Sequence, residues 1–276
     1  MARRVLQYWE YDDAGGSTYY TPGHIDGGDF DNDGAIVYED TANGTSQIAP
    51  GMVGGSGSIE FRPTATTFLA KCLRTNPTSQ LQTLDIRVGT SAEAYVHEDS
   101  MCNNLRLSCA AGERLKATVD WISMAPHALA LPTWKGPHSG NPFHWYSGTV
   151  TLGGVAYTMQ SFDVNVNNNV RCFTSMDYAA AYVRYPEEII NFSEEVTLTA
   201  VVAVPLSTNA LDIFGVPTAT GVASLAFTSA TPTTLTISLA NLTLARWRKP
   251  TVVQDVVLWT LDYTAEKNNA SSITIA

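Results

Sequence analysis

The sequence predicts a mainly β protein, with a β-sandwich or barrel-like fold, one packed α-helix and long loops. Apolar and polar residues alternate over many short segments, which is the pattern of strands that are buried on one face. Hydrophobic residues make up 45% of the 276 residues and charged residues only 15%, the reverse of the balance in disordered chains. A globular chain of this length buries roughly 70–75% of its unfolded surface, so its core needs no disulfide or metal staples.

The first half of the chain contains three alternating segments, at residues 58–62, 84–88 and 115–121. One segment, residues 63–76, has a helical period instead: Phe68, Leu69, Cys72 and Leu73 recur at helical spacing. Threonines precede these residues as possible N-caps and a proline follows them. The sequence therefore predicts three strands and one amphipathic helix that packs against a sheet.

The second half repeats the strand pattern. Residues 150–152 and 155–159 flank Gly153-Gly154, a pair suited to a tight hairpin turn. Residues 162–166 run into Asn167-Asn168-Asn169, where a turn or bulge is expected because Asn tolerates the left-handed region. Three further strands and one weaker helix are expected in the following ranges: strands 196–204, 235–239 and 257–263, and a helix at 176–183.

Three polar or Gly/Pro-rich stretches separate these elements, at residues 15–34, 41–57 and 125–141. Loops of this length in a compact domain are usually functional or stabilised by a partner. We therefore divide the chain into an N-terminal arm with long loops, residues 1–56, and a β-domain, residues 57–276.

Charge and cysteine usage exclude several classes of protein. The net charge of −10 and pI near 4.8 argue against tight nucleic-acid binding, which needs clustered Lys and Arg. The four cysteines have no close paired spacing, so we expect reduced and mostly buried thiols. The N-terminus has no signal h-region and no apolar run reaches ~20 residues. We therefore expect a cytosolic product with no membrane partner.

One acidic segment has the spacing of a calcium loop. Asp29, Asp31 and Asp33 occupy its positions 1, 3 and 5, Gly34 its position 6, and Asp40 its position 12. The carbonyl of the residue after Gly34 supplies the remaining ligand in such loops. Position 12 is Asp where Glu is usual, and no helix is predicted on either side. The alternatives are a calcium site and an acidic turn between strands, and no cofactor is required for the fold.

The sequence contains no catalytic constellation. Glu187-Glu188 and Glu194-Glu195 are adjacent pairs, which point to opposite faces of a strand rather than into one cleft. No Gly-x-Ser-x-Gly elbow, Walker loop or dinucleotide fingerprint is present. We therefore expect that the protein is not an enzyme.

Four segments, taken in order along the chain, carry a family likeness. The first is Gly57-Ser-Ile-Glu-Phe before the predicted helix, and the strongest covers residues 142–170, with the repeated Asn near its end. The others are Tyr185-Pro-Glu-Glu-Ile-Ile and Glu194-Glu-Val-Thr-Leu-Thr. In this order the segments resemble the major tail tube proteins of long-tailed, siphovirus-type bacteriophages. The resemblance covers residues 57–275, whereas residues 1–50 match nothing that we can name.

The resemblance implies a function and a set of partners. Copies of the chain would stack as hexameric rings into a hollow tube for genome ejection, assembled in the host cytoplasm and kept in the virion tail. The implied partners are the chain itself, a tape-measure protein, a tail terminator and distal tail proteins. DNA would pass through the tube without specific binding.

Two alternatives remain open. The aromatic cluster of Trp134, Phe143, His144, Trp145 and Tyr146 could form the stacking platform of a carbohydrate-binding β-sandwich. Exposure of Trp134 and Trp145 on one flat face would favour that reading. The second alternative is another phage-derived structural protein, either a capsid decoration protein or the tube of an injection system.

Overall fold

The fold is mainly β with a single short helix among the described residues, as the sequence predicts. The computed structural model describes residues 4–5, 7–13, 16, 18–40, 46–75, 79–135, 140–144, 149–152, 155–173, 188–205, 221–228, 234–253, 256–265 and 273–275. Its elements are β1 (Arg4–Val5), β2 (Tyr8–Asp13), β3 (Gly23–Asp40), β4 (Ser46–Pro63), α1 (Thr67–Lys71), β5 (Leu84–Gly89), β6 (Ala94–Ala110), β7 (Lys116–Leu129), β8 (Thr149–Leu152), β9 (Val155–Asn167), β10 (Val170–Phe173), β11 (Glu188–Asn191), β12 (Glu195–Pro205), β13 (Gly221–Thr228), β14 (Thr234–Val253), β15 (Val256–Ala265) and β16 (Ile273–Ile275).

Most of the described strands belong to one large antiparallel sheet. Its main path runs β1-β3-β4-β7-β6-β9-β12-β15-β14-β13-β8, with β16 beside β14 and β2 beside β5. Strands β10 and β11 form a separate two-stranded sheet. Strand β5 also pairs with β6, and β8 also pairs with β9, so β8, β9, β12, β15, β14 and β13 form a closed circuit of pairings. The sheet as a whole is not a closed barrel, because β1, β2 and β16 leave open edges in the described part of the chain.

Each strand that alternation predicted is present, and the predicted turn after β9 is confirmed. Strands β8 and β9 pair with Leu152 opposite Val155, while the predicted turn residues Gly153-Gly154 lie outside the described residues. Strand β9 ends at Asn167, and Asn169 has a φ of 47°, the left-handed conformation that Asn tolerates. The side-chain oxygen of Asn167 accepts a hydrogen bond of 3.0 Å from the backbone N–H of Asn169, which stabilises this turn.

The structure differs from the sequence prediction in the three stretches assigned to loops. Strand β3 occupies residues 23–40 and strand β4 residues 46–63, and they pair from Gly23 opposite Pro63 to Asp40 opposite Ser46. Residues 125–129 belong to β7. Cross-strand pairing rather than local alternation stabilises these Gly-rich strands, so the sequence pattern did not reveal them. The division at residue 56 stays a prediction, although β4 continues across it.

The predicted helix is confirmed, in a shorter form. It begins after Thr66, whose side chain makes no capping hydrogen bond, and it buries Phe68 and Leu69. The Phe68 ring lies 4.6 Å from that of Tyr11 and 5.0 Å from that of Trp9. The helix is therefore attached to the core by aromatic packing rather than by its caps. The second predicted helix, residues 176–183, lies outside the described residues.

One continuous hydrophobic core lies on the inner face of the sheet. Strands β4, β7, β6, β9, β12 and β15 contribute alternate residues to it, and β2, β5, α1, β14 and β16 add further buried side chains. Its largest fully buried side chains are the aromatic residues Trp9, Phe61, Phe68, Trp121 and Phe143. The predicted alternation therefore separates the side chains that enter the core from those that face solvent.

Candidate functional site

The predicted calcium ligands lie along one strand. Asp29, Asp31, Asp33 and Asp40 are all in β3, opposite Ser58, Ser56, Gly54 and Ser46 of β4. A strand rises ~3.3 Å per residue, so Asp29 and Asp40 are roughly 35 Å apart along the backbone. The described residues contain no group of three or more His, Cys, Asp or Glu side chains that could hold a metal ion. The calcium site stays a prediction, and it does not have the wrapped backbone of a twelve-residue loop.

The β3–β4 hairpin extends beyond its neighbouring strands. Strand β1 pairs with β3 only at Asp29 and Phe30, and β7 pairs with β4 only from Gly55 to Phe61. Residues 33–40 and 46–54, which we call the distal ribbon, therefore pair only with each other in the described structure. A two-stranded ribbon is at best marginally stable in water. Its unpaired edges are also templates for another strand.

The outward side of the sheet is polar across eight strands, and we call it the polar face. The strand registers align its side chains into three transverse rows. The first row contains Asp29, Ser58, Asp120, Asn104, Asn167 and Glu195. The second contains Glu60, Thr118, Arg106, Asn165, Thr197, Thr264 and Thr243. The third contains Lys116, Ser108, Asp163, Thr199, Asp262 and Arg246. All of these side chains are exposed or half-buried, so the face is a solvent surface rather than a packing layer.

Ion pairs hold most of the cations on the polar face. The Lys116 ammonium lies 2.7 Å from a Glu60 carboxylate oxygen, and the Arg106 guanidinium pairs with Asp163. The Asp163 carboxylate raises the pKa of Arg106, through a hydrogen bond and through its charge. The first row carries three carboxylates and no cation. The polar face therefore offers paired cations and an excess of carboxylate.

The asparagine turn after β9 connects the polar face to the core. Asn168 is fully buried, and its Nδ2 donates to the carbonyl oxygens of Cys72 and Cys102, each at 3.0 Å. The Asn168 backbone N–H donates to the carbonyl of Asn103 at 2.8 Å. The sequence predicts this turn, but not that its middle residue joins α1, β6 and β9 in the core.

The aromatic residues of the sugar-binding alternative do not form an open platform in the described structure. The Trp134 ring stacks on Tyr8, with ring centroids 4.9 Å apart and planes 7° apart, so one of its faces is covered. Phe143 is a buried core residue. Trp145 and Tyr146 lie outside the described residues. Trp134 and Phe143 thus have structural roles that account for their positions.

The four cysteines are free thiols, three of them buried and Cys172 half-buried. Burial is the largest cause of a raised pKa at Cys102 and Cys172, and it raises that of Cys109 to about 12. A thiol with a raised pKa is a poor nucleophile at neutral pH. These cysteines are therefore suited to packing.

The sequence was also compared with known protein families, and one family matches most of it. A family model described as phage tail tube protein matches residues 11–265, which is most of the chain. No curated protein matches the sequence. Among the described residues, no helix is both long enough and apolar enough to cross a membrane.

Proposed function

The chain belongs to the phage tail tube protein family, and from that premise we propose that its copies stack as hexameric rings into a hollow conduit for genome ejection. Membership of the family makes the chain a structural, self-assembling component of the virion tail. The further details, namely ring symmetry, stacking and ejection, are our proposal. We also propose that it catalyses no reaction and is assembled in the host cytoplasm.

The distal ribbon is the observation that carries the proposal. Ordering a residue costs about 1–2 kcal/mol of backbone entropy, and a ribbon of two strands recovers little of that cost alone. A neighbouring subunit that adds strands or side chains to residues 33–40 and 46–54 supplies the missing contacts. Such a contact joins a protruding segment to a different surface of the next copy, and head-to-tail contacts of this kind generate rings and filaments.

The polar face is suited to line the conduit. Threonine and asparagine dominate its second row, and carboxylates make up half of its first. The third row contains two cations, two carboxylates and two hydroxyl side chains. A ring of six copies carries a net charge of roughly −60, since each chain carries −10. Like charge repels phosphate, so DNA passes through the lumen without being retained. Unpaired cations would bind the phosphates, but most of the cations at this face are engaged in ion pairs.

The proposed partners are those of a tail. A tape-measure protein fills the lumen during assembly, while a tail terminator and distal tail proteins bind the two ends of the tube. Both ends of a head-to-tail stack expose surfaces that have no further copy to bind. The proposed end proteins cover these surfaces.

Electron microscopy of the purified, concentrated chain tests the proposal. We expect hollow tubes with a regular axial repeat from the intact protein. Replacing residues 33–54 by an Asn-Gly turn joins Asn32 to its cross-strand partner Gly55 and shortens the hairpin to the part that β7 supports. This variant is expected to keep its β-type circular dichroism and to form no tubes. Intact protein that stays monomeric at high concentration, with or without a tail initiator, would contradict the proposal.

A further inference from the structure

The separate sheet of β10 and β11 covers one border of the polar face. Ile122 and Met124 follow Asp120 at alternate positions of β7, so all three lie on the same side of the sheet. The small apolar cluster of Leu81, Met101, Val170 and Ile189 packs against Ile122 and Met124. The β10–β11 ribbon therefore rests on the sheet directly beside the acidic first row.

Hydrogen bonds fix this ribbon in place. The Val170 N–H donates to Asn103 Oδ1 at 2.9 Å, and Asn169 Nδ2 donates to Ser193 Oγ at 2.7 Å. On the other strand, Asn191 Oδ1 accepts the Leu81 N–H at 3.0 Å. The ribbon is thus a supported scaffold, and side chains on its outer side are held in a constant position.

Two phenylalanines and an arginine occupy that outer side. Phe173 is 41% exposed and Phe192 is 51% exposed, although their ring centroids are only 5.4 Å apart. The Arg171 guanidinium lies 5.4 Å from the centroid of the Phe192 ring. We call Arg171, Phe173 and Phe192 the aromatic patch. Aromatic residues and Arg are enriched in protein interfaces, where they contribute most of the binding energy.

We propose that the aromatic patch is a contact surface for a second copy of this chain in the assembled tail, an inference that rests on the proposed function. Three observations favour this occupant. The family self-assembles, and the patch adjoins the polar face that the proposal places along the conduit. The cation at Arg171 also fits a partner with excess carboxylate, which a chain of net charge −10 supplies.

Other kinds of occupant fit the patch less well. The two rings are inclined at 63°, so they do not form the flat platform on which a sugar ring or a base stacks. Exposed Glu188 lies opposite Phe173 in the ribbon, and the first row of the polar face is acidic, so nucleic acid is repelled. The remaining occupant is a protein surface that receives two inclined rings and one cation.

The test compares tube formation by the intact chain and by the double variant Phe173→Ser, Phe192→Ser. Since burial of two phenylalanine rings is lost, we expect the critical concentration for assembly, measured by sedimentation, to rise at least about tenfold. Arg171→Glu is expected to raise it as well, and Arg171→Lys is expected to retain most of the assembly. The melting temperature of the monomer should change little, because both side chains are only about half buried and lie on the outer side of the ribbon.

Leu131→Ser is the matched control, since Leu131 is 54% exposed but lies away from the ribbon, after β7. Its critical concentration should equal that of the intact chain. If the intact chain forms tubes and the double variant assembles at the same concentration, the patch inference is wrong while the tube function stands. If the intact chain forms no tubes, the proposed function itself fails. An equal loss of assembly in Leu131→Ser would also overturn the specific role of the patch.

Discussion

Acid should destabilise the folded chain through one buried histidine, His97. Its side chain is fully buried, and its Nδ1 lies 3.2 Å from Ser123 Oγ. Its Nε2 has no hydrogen-bond partner among the described atoms. The rings of Phe30 and Trp121 each lie 6.0 Å from the imidazole, edge-on. Burial, assisted by the charge of His127, lowers the pKa of His97 from 6.5 to about 4.

The sign and size of the effect follow from linkage. The unfolded chain binds a proton at this residue near pH 6.5, whereas the folded chain binds it only near pH 4, so protons favour unfolding in between. The stability is fully present above pH 6.5 and is lost as the pH falls towards 4. The complete loss is roughly 3 kcal/mol, and about 2 kcal/mol of it is expected by pH 5.0.

Urea unfolding of the monomer at pH 7.5 and at pH 5.0 measures this loss. The intact chain should lose about 2 kcal/mol of unfolding free energy between the two pH values, and His97→Gln should lose most of that dependence. His127→Gln is the control, since that side chain is 43% exposed and should leave the dependence largely intact. Burial raises the pKa of Glu194, which adds stability as the pH falls, but this contribution is the same in all three proteins.

Parallel pH dependences for the intact chain and His97→Gln would refute the reasoning. If His97→Gln does not fold, an NMR titration of the intact chain replaces it. The His97 ring signals should then show no protonation between pH 7.5 and pH 5.0. Protonation near pH 6.5 would mean that water reaches the imidazole.

Four other predictions concern packing, the asparagine turn, cations and DNA. Gly57→Ala should lower the free energy of unfolding by about 1–3 kcal/mol, because a Cβ there lies 2.2 Å from an atom of the buried Trp121 indole. Gly27→Ala, whose Cβ would have nothing within 4 Å, should lower it by less than about 1 kcal/mol. Equal urea midpoints for the two variants would refute this. Asn168→Ala should lower the free energy of unfolding by roughly 2–4 kcal/mol, because it removes two buried hydrogen bonds to the carbonyls of Cys72 and Cys102. Asn165→Ala on the polar face should lower it by less than about 1 kcal/mol, and similar losses in the two variants would count against the buried bridge. The four predicted calcium ligands follow an extended strand, so melting temperatures in chelator and in millimolar calcium should agree within about 2 °C. A larger rise with calcium would instead support the cation site. Assembled tubes should not retain duplex DNA at physiological salt, and salt-sensitive retention in a gel-shift assay would contradict the proposed lumen.

The sequence alone predicted the mainly β fold, the single packed helix, the turn after β9 and the tail tube family. These features depend on short-range patterns, such as apolar residues at every second position in β12, helical spacing around Phe68, and an Asn run at the end of a strand. Side-chain burial within one strand is decided by its own period, so it can be read from a few consecutive residues.

The tertiary structure alone decided which strands are neighbours and in what register. The sequence showed that Lys116, Thr118 and Asp120 face away from the core, but it could not show that β4, β6 and β9 continue these positions into transverse rows. The same holds for β3 and the distal part of β4, whose Gly-rich and acidic residues have no strand-like alternation and become strands by pairing with each other. Such pairings join residues far apart in the chain, and a one-residue change of register would turn every side chain to the other face. The polar face, the distal ribbon and the aromatic patch are therefore properties of the folded chain.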